Sequence, residues 1–102
     1  MLQIVIPAYN EELRLPRTLR ELRRFVRDHR ARLGAVEVLV VDNASTDATA
    51  EVARSADSAA LPVRVLSCSI RGKGAAVAAG IAATDADVVA FMDADGATHL
   101  DA

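Results

Sequence analysis

The sequence holds a single cysteine, Cys68, among 102 residues. One thiol cannot close an internal disulfide or build a cysteine-rich zinc site, and a reducing compartment is expected. Tryptophan is absent, and aromatic residues make up 3% of the chain: Tyr9, Phe25 and Phe91. That is too few for a stacking platform along single-stranded nucleic acid. Neither sign of charge dominates. The formal net charge is -2 and the pI about 5.6, so the chain lacks the basic footprint of a nucleic-acid binder. No apolar run nears the roughly 18 residues that span a bilayer. The stretch Met1 to Pro7 carries no basic residue and is too short for a secretory leader.

What is present suits one folded domain over residues 1–102. The chain is 52% hydrophobic and 25% charged, enough to fill a core. Four short segments rich in β-branched residues read as buried strands: Ile4 to Ile6, Val36 to Val41, Val63 to Leu66 and Val88 to Met92. Between them the period is helical. Leu15, Leu19, Leu22, Val26 and Leu33 share one face of a first helix, with Phe25 and His29 at its edge and Arg17, Arg20, Arg24 and Arg27 opposite. Pro16 suits its first turn and Gly34 can end it. A second helix is expected over residues 47–56, capped by Ser45 or Thr46 with Asp47 near its positive end. A third, mostly alanine, is expected over residues 74–83, with Gly80 as a weak point. The order β-α-β-α-β-α-β implies an α/β fold with a mostly parallel sheet flanked by helices.

In such sheets ligands bind beyond the carboxyl ends of the strands. Each strand here is followed by a polar set: Pro7-Ala8-Tyr9-Asn10-Glu11-Glu12, Asp42-Asn43-Ala44-Ser45-Thr46-Asp47, Arg71-Gly72-Lys73-Gly74 and Asp93-Ala94-Asp95-Gly96. Asp93 and Asp95 can share one hard cation, Mg²⁺ or Mn²⁺, which would bridge a diphosphate; the plainer reading is an acidic turn. Arg71 and Lys73, set between glycines ahead of a helix, can meet a phosphate or stand as solvated cations. Asp42 can accept a hydrogen bond from a nucleobase or ribose, or cap a helix. Tyr9 and Glu11 can border a base, or Glu11 can simply be solvated. His29 reads as structural, His99 as a surface histidine within reach of the acidic turn, and Cys68 as a small apolar residue.

These four sets, in this order and spacing, resemble the donor-binding half of family 2 glycosyltransferases, the inverting GT-A enzymes with a Rossmann-like nucleotide-binding half. Within that family, Tyr9 to Pro16 and Asp93 to Thr98 are most similar to dolichyl-phosphate β-glucosyltransferase and other polyprenyl-phosphate sugar transferases. The resemblance implies a nucleotide-sugar donor, UDP-glucose or GDP-mannose, and a lipid-phosphate acceptor. It implies Pro7, Tyr9 and Glu11 in the nucleoside pocket and Asp42 on the base. Arg71 and Lys73 would lie near base or diphosphate, Asp93 at ribose or sugar, and Asp95, with Asp93, at the metal. It also implies a cytoplasmic site, or one at the cytoplasmic face of a membrane.

Two positions depart from the family. Asp42-Asn43-Ala44-Ser45 stands where Asp-Asp-Gly-Ser is frequent, and Ile70 stands where Asn often precedes Arg-Gly-Lys-Gly. Family members are more than twice this length, with acceptor-side catalytic residues beyond the D-x-D turn. The expectation is therefore a truncated donor-binding portion, inactive or weakly active alone. Two other classes stay open. One is a non-catalytic module that assembles into homo-oligomers through an open sheet edge; the other is a receiver-like signalling domain. Residues 14–32 carry eight Arg against Glu21 and Asp28. That helix could meet anionic lipid, although a solvated face is the expected state.

Overall fold

A computed structural model describes residues 1–96. Strands β1 (Leu2–Ala8), β2 (Val36–Asp42), β3 (Val63–Ser67) and β4 (Val88–Phe91) form one sheet in the order β3-β2-β1-β4. Every pairing is parallel. Helices α1 (Leu15–Asp28) and α2 (Arg30–Leu33) connect β1 to β2, α3 (Thr49–Ser55) connects β2 to β3, and α4 (Lys73–Ala83) connects β3 to β4. The chain steps outward from β1 to β3 and then returns to the other side of β1, so the direction of winding reverses between β1 and β4.

Two apolar layers follow from this winding. On one face Ile4, Ile6, Val38 and Val40 pack with Leu15, Leu19, Leu22 and Val26 of α1 and Ala53 of α3. On the other, Val5, Leu39, Val41 and Cys68 pack with Ala76 of α4. Alternate residues of a strand point to opposite faces, so β1 and β2 are apolar at nearly every position. The alanine content of α4 has a geometric reason: a Cβ on Gly80 would lie 2.5 Å from Val5 Cγ1. Gly80 is thus a contact residue, and its cost to helix propensity is offset by close approach to the sheet.

Three details differ from the expectations above. The first helix breaks at His29 (φ -119°), whose Nδ1 lies 2.8 Å from the Phe25 carbonyl oxygen and whose ring stacks on Phe25 at 4.2 Å. A four-residue turn then runs to Gly34. The second helix starts at Thr49, two residues late, and its N-cap position is Ala48, which has no side-chain acceptor; Asp47 instead accepts the Thr49 N–H at 2.9 Å. Ser45 and Thr46 are not its caps because their hydroxyls are engaged by the β1 loop. Strand β1 extends through Pro7, which is tolerated because pairing with β4 stops at Val5 and leaves that side of Pro7 without a ladder partner.

Candidate functional site

All four polar sets lie at the carboxyl edge of the sheet. The loops after β1 and β2 are laced together. Asn10, in the left-handed region at φ 52°, donates its N–H to Ser45 Oγ at 3.0 Å and accepts from the Thr46 N–H at 2.8 Å. Glu11 N–H donates to Thr49 Oγ1 at 2.9 Å and Glu12 N–H to Asp47 Oδ2 at 3.3 Å. Thr49 in turn donates both its hydroxyl and its N–H to Asp47 Oδ1. Desolvation opposes ionisation of Asp47, but the Thr49 hydroxyl and the Thr49 and Glu12 N–H groups outweigh it and hold the carboxyl below its ordinary value. Ala44 also takes a left-handed conformation, φ 59°, which glycine adopts more readily than alanine.

The loop after β3 is fixed by Asn43. This buried amide donates Nδ2–H to the Ile70 carbonyl at 2.6 Å and accepts the Gly72 N–H at 3.0 Å. Asn43 thereby sets the path of Arg71-Gly72-Lys73. Arg71 lies 5.2 Å from the centre of the Tyr9 ring, with Nη1 3.4 Å from the phenol oxygen. Lys73 Nζ lies 2.6 Å from Asp93 Oδ1. The turn after β4 is closed by Gly96 N–H to the Asp93 carbonyl at 3.0 Å. From below, Thr18 of α1 donates its hydroxyl to the Ala94 carbonyl at 2.8 Å. The turn is therefore seated on α1.

These contacts bring four of the expected residues to one place. Pro7, Tyr9, Lys73 and Asp93, with Ala8, Asn43 and Ala76, line a cleft of about 150 Å³ where the winding reverses. Glu11 and Asp42 do not line it. Glu11 turns to Arg14 at 2.7 Å, and its buried Oε2 has no hydrogen-bond partner among the described residues. Asp42 Oδ1 accepts the Ser45 N–H at 3.2 Å beside the cleft. Asp95 is exposed at the tip of the turn. His99 lies outside the described residues. Among the described residues no cluster of three His, Cys, Asp or Glu side chains is arranged to hold a metal. Asp93 and Asp95 offer two hard oxygen ligands, which fits Mg²⁺ or Mn²⁺ with further oxygens from water and a diphosphate. Sequence reasoning missed Asn43 and Thr18 as positioning residues. The amide had shown only as a departure from the family pattern, and nothing in the α1 pattern marks a buried threonine as a support for a distant turn.

The profile of glycosyl transferase family 2 matches residues 3–102. The chain is 43% identical over 104 residues to dolichyl-phosphate beta-glucosyltransferase of Drosophila melanogaster and 38% identical over 104 residues to that of Homo sapiens. Each match covers 97% of this chain and 32% of the relative, so the chain spans about a third of their length. Among solved structures, a mannosyltransferase from Pyrobaculum calidifontis in complex with GDP-Man and Mn²⁺ superposes with a TM-score of 0.76 at 27% identity, covering 92% of this chain and 27% of that one. Mannosyl-3-phosphoglycerate synthase from Rubrobacter xylanophilus gives 0.73 at 27% identity, covering 93% and 31%. The fold is that of a GT-A nucleotide-binding half, and the chain belongs to glycosyl transferase family 2.

Proposed function

We propose that this chain is the donor-binding portion of a glycosyltransferase that moves a sugar, glucose from UDP-glucose, to a polyprenyl phosphate with inversion. The observation that carries the reading is the convergence of Tyr9, Lys73 and Asp93 on one cleft where the sheet's winding reverses. The similarity to dolichyl-phosphate beta-glucosyltransferases supports the choice of donor and acceptor.

Each group has a chemical task in this reading. Pro7 and Tyr9 border the nucleoside, and Asp42 and Glu11 accept hydrogen bonds from base or ribose. The buried Glu11 Oε2 atom has no hydrogen-bond partner among the described residues, and a base or ribose donor reaching it from beside the cleft would supply one. Arg71 and Lys73 neutralise the diphosphate, so the Lys73–Asp93 pair opens and Asp93 is released toward ribose or metal. Asp95 and Asp93 would hold Mg²⁺ or Mn²⁺, which supplies Lewis-acid stabilisation to the leaving diphosphate. An acceptor phosphate oxygen then forms a bond to the anomeric carbon from the face opposite the departing nucleoside diphosphate. The acceptor is already an anion, so its positioning matters more than its deprotonation.

Calorimetric titration of the chain with UDP, UDP-glucose and GDP, with Mn²⁺ or with chelator, tests this. UDP-selective, metal-dependent binding that is weakened in Asp95→Asn is the expected result. GDP-selective binding would replace the uridine assignment. Metal dependence unchanged in Asp95→Asn would remove that residue's role, and a folded chain that binds no nucleotide would favour a non-catalytic assembly module.

A further inference from the structure

The arginines of α1 and α2 take no part in the donor site, and the structure places them beside an apolar groove. The groove runs between α1 and α3 and encloses about 360 Å³, within the size range of ligand pockets, roughly 300–1,000 Å³. Leu19, Leu61 and Val63 form its floor, and Val52, Ser55 and Ala56 one wall. Arg20 and Arg23 stand at its rim, and among the described residues no carboxylate lines it.

The acids that dilute this face in the sequence are already engaged. Glu21 pairs with Arg17 at 3.0 Å and Asp28 with Arg27 at 3.2 Å. Arg14 pairs with Glu11, and Arg30 donates to the Gly34 and Ala60 carbonyls. Among the described residues Arg20, Arg23, Arg24 and Arg32 keep exposed guanidinium groups outside any ion pair. Residues 14–32 carry a net charge of +6 in a chain of net -2, so the charge is strongly polarised. The Debye length is about 8 Å at physiological salt, and the molecule is 37 Å in its longest dimension. Acids farther than that from α1 do little to cancel its field; Asp93 and Asp95, in the turn seated on Thr18, and the exposed Glu51 of α3 lie closer and reduce it without reversing its sign.

We propose that the α1–α3 face docks on an anionic lipid bilayer. Arg20, Arg23 and Arg24 meet phosphate headgroups, and the groove takes up apolar methylenes between them. Charge complementarity selects this occupant: a neutral apolar peptide would leave the two rim cations, Arg20 and Arg23, unpaired, whereas a bilayer of anionic lipid satisfies both the charge and the apolar floor. Arginine suits the role because its stem lies on apolar surface while its head stays at the phosphates. Thr18 ties α1 to the D-x-D turn, so docking through this helix also holds the carboxyl edge of the sheet at the membrane surface. The proposal rests on α1 and α3 alone and stands whether or not the cleft binds a nucleotide sugar.

Vesicle co-sedimentation of the chain tests it, with phosphatidylcholine alone and with phosphatidylcholine containing phosphatidylglycerol. Binding is expected only to the anionic vesicles and should weaken as salt rises. Each arginine near such a surface contributes about 1 kcal/mol, so R20Q/R23Q should bind roughly thirty-fold more weakly. R54Q/R64Q removes the same charge away from the groove and should bind like the unmodified chain. Ser55→Asp, an exposed change on the groove wall, should weaken binding without altering the thermal melt. The proposal is overturned if the unmodified chain ignores anionic vesicles, if neutral vesicles bind equally well, or if the two double variants lose affinity alike.

Discussion

Replacing Asn43 with aspartate keeps the size of the side chain and removes its two N–H donors. Oδ1 can still accept the Gly72 N–H, but the other oxygen would face the Ile70 carbonyl, now 2.6 Å from Nδ2, and the Cys68 carbonyl at 3.5 Å. The site is 7% exposed, so water does not replace the lost donor. A buried acceptor left unpaired costs about 1–3 kcal/mol, and a carboxylate against carbonyl oxygens belongs near the middle of that range or above. We expect N43D to lose about 2 kcal/mol at pH 7, a fall in Tm of roughly 10 °C for a domain of this size. The new carboxyl is raised in the folded state above its unfolded value of about 3.9, because its protonated form can donate to Ile70. The deficit should therefore be absent below about pH 4 and should grow as pH rises through the folded-state pKa. Urea unfolding of both proteins at pH 5 and pH 7 measures the difference directly. Equal stability at pH 7, or a deficit of the same size at both pH values, would refute the clamp. Metal-dependent UDP affinity should fall in parallel, since the loop carrying Arg71 and Lys73 loses its anchor.

Gly80→Ala sets helix propensity against packing. Propensity favours alanine by up to about 1 kcal/mol, and overpacking against Val5 costs about 1–3 kcal/mol. Net destabilisation in denaturant is expected, and a more stable variant would show that α4 can shift away from the sheet. Thr18→Val removes the hydroxyl that holds the Ala94 carbonyl. It should cost about 1 kcal/mol and weaken metal-dependent nucleotide binding although Thr18 touches no ligand in the proposed site; titration of the variant reads this. Asp47 has a lowered pKa, so its stabilising effect is present above its unfolded value of 3.8 and lost as pH falls through the folded one. An acid-unfolding profile should accordingly be less steep below pH 3.8 in Asp47→Asn than in the unmodified chain.

Periodicity alone determined the alternation of strands and helices here, because a buried parallel strand needs a run such as Val36 to Val41 and an amphipathic helix needs the Leu15 to Val26 spacing. It also located the four polar sets, since in a parallel α/β sheet they must emerge at the carboxyl edge. Tertiary structure decided which of those residues meet. The order β3-β2-β1-β4 puts β1 beside β4 and so brings Tyr9 and Lys73 to Asp93, while Glu11 turns to Arg14 and Asp42 to the Ser45 N–H. The hydroxyls of Ser45 and Thr46 illustrate why local rules failed at α3: Ser45 Oγ accepts the Asn10 N–H and Thr46 Oγ1 donates to Asn10 Oδ1, so the β1 loop engages both before the helix can. Asn43, Thr18 and Gly80 have roles set by partners 25 to 76 residues away in sequence. No local pattern encodes those distances, because the chain brings such partners together only once the sheet has formed.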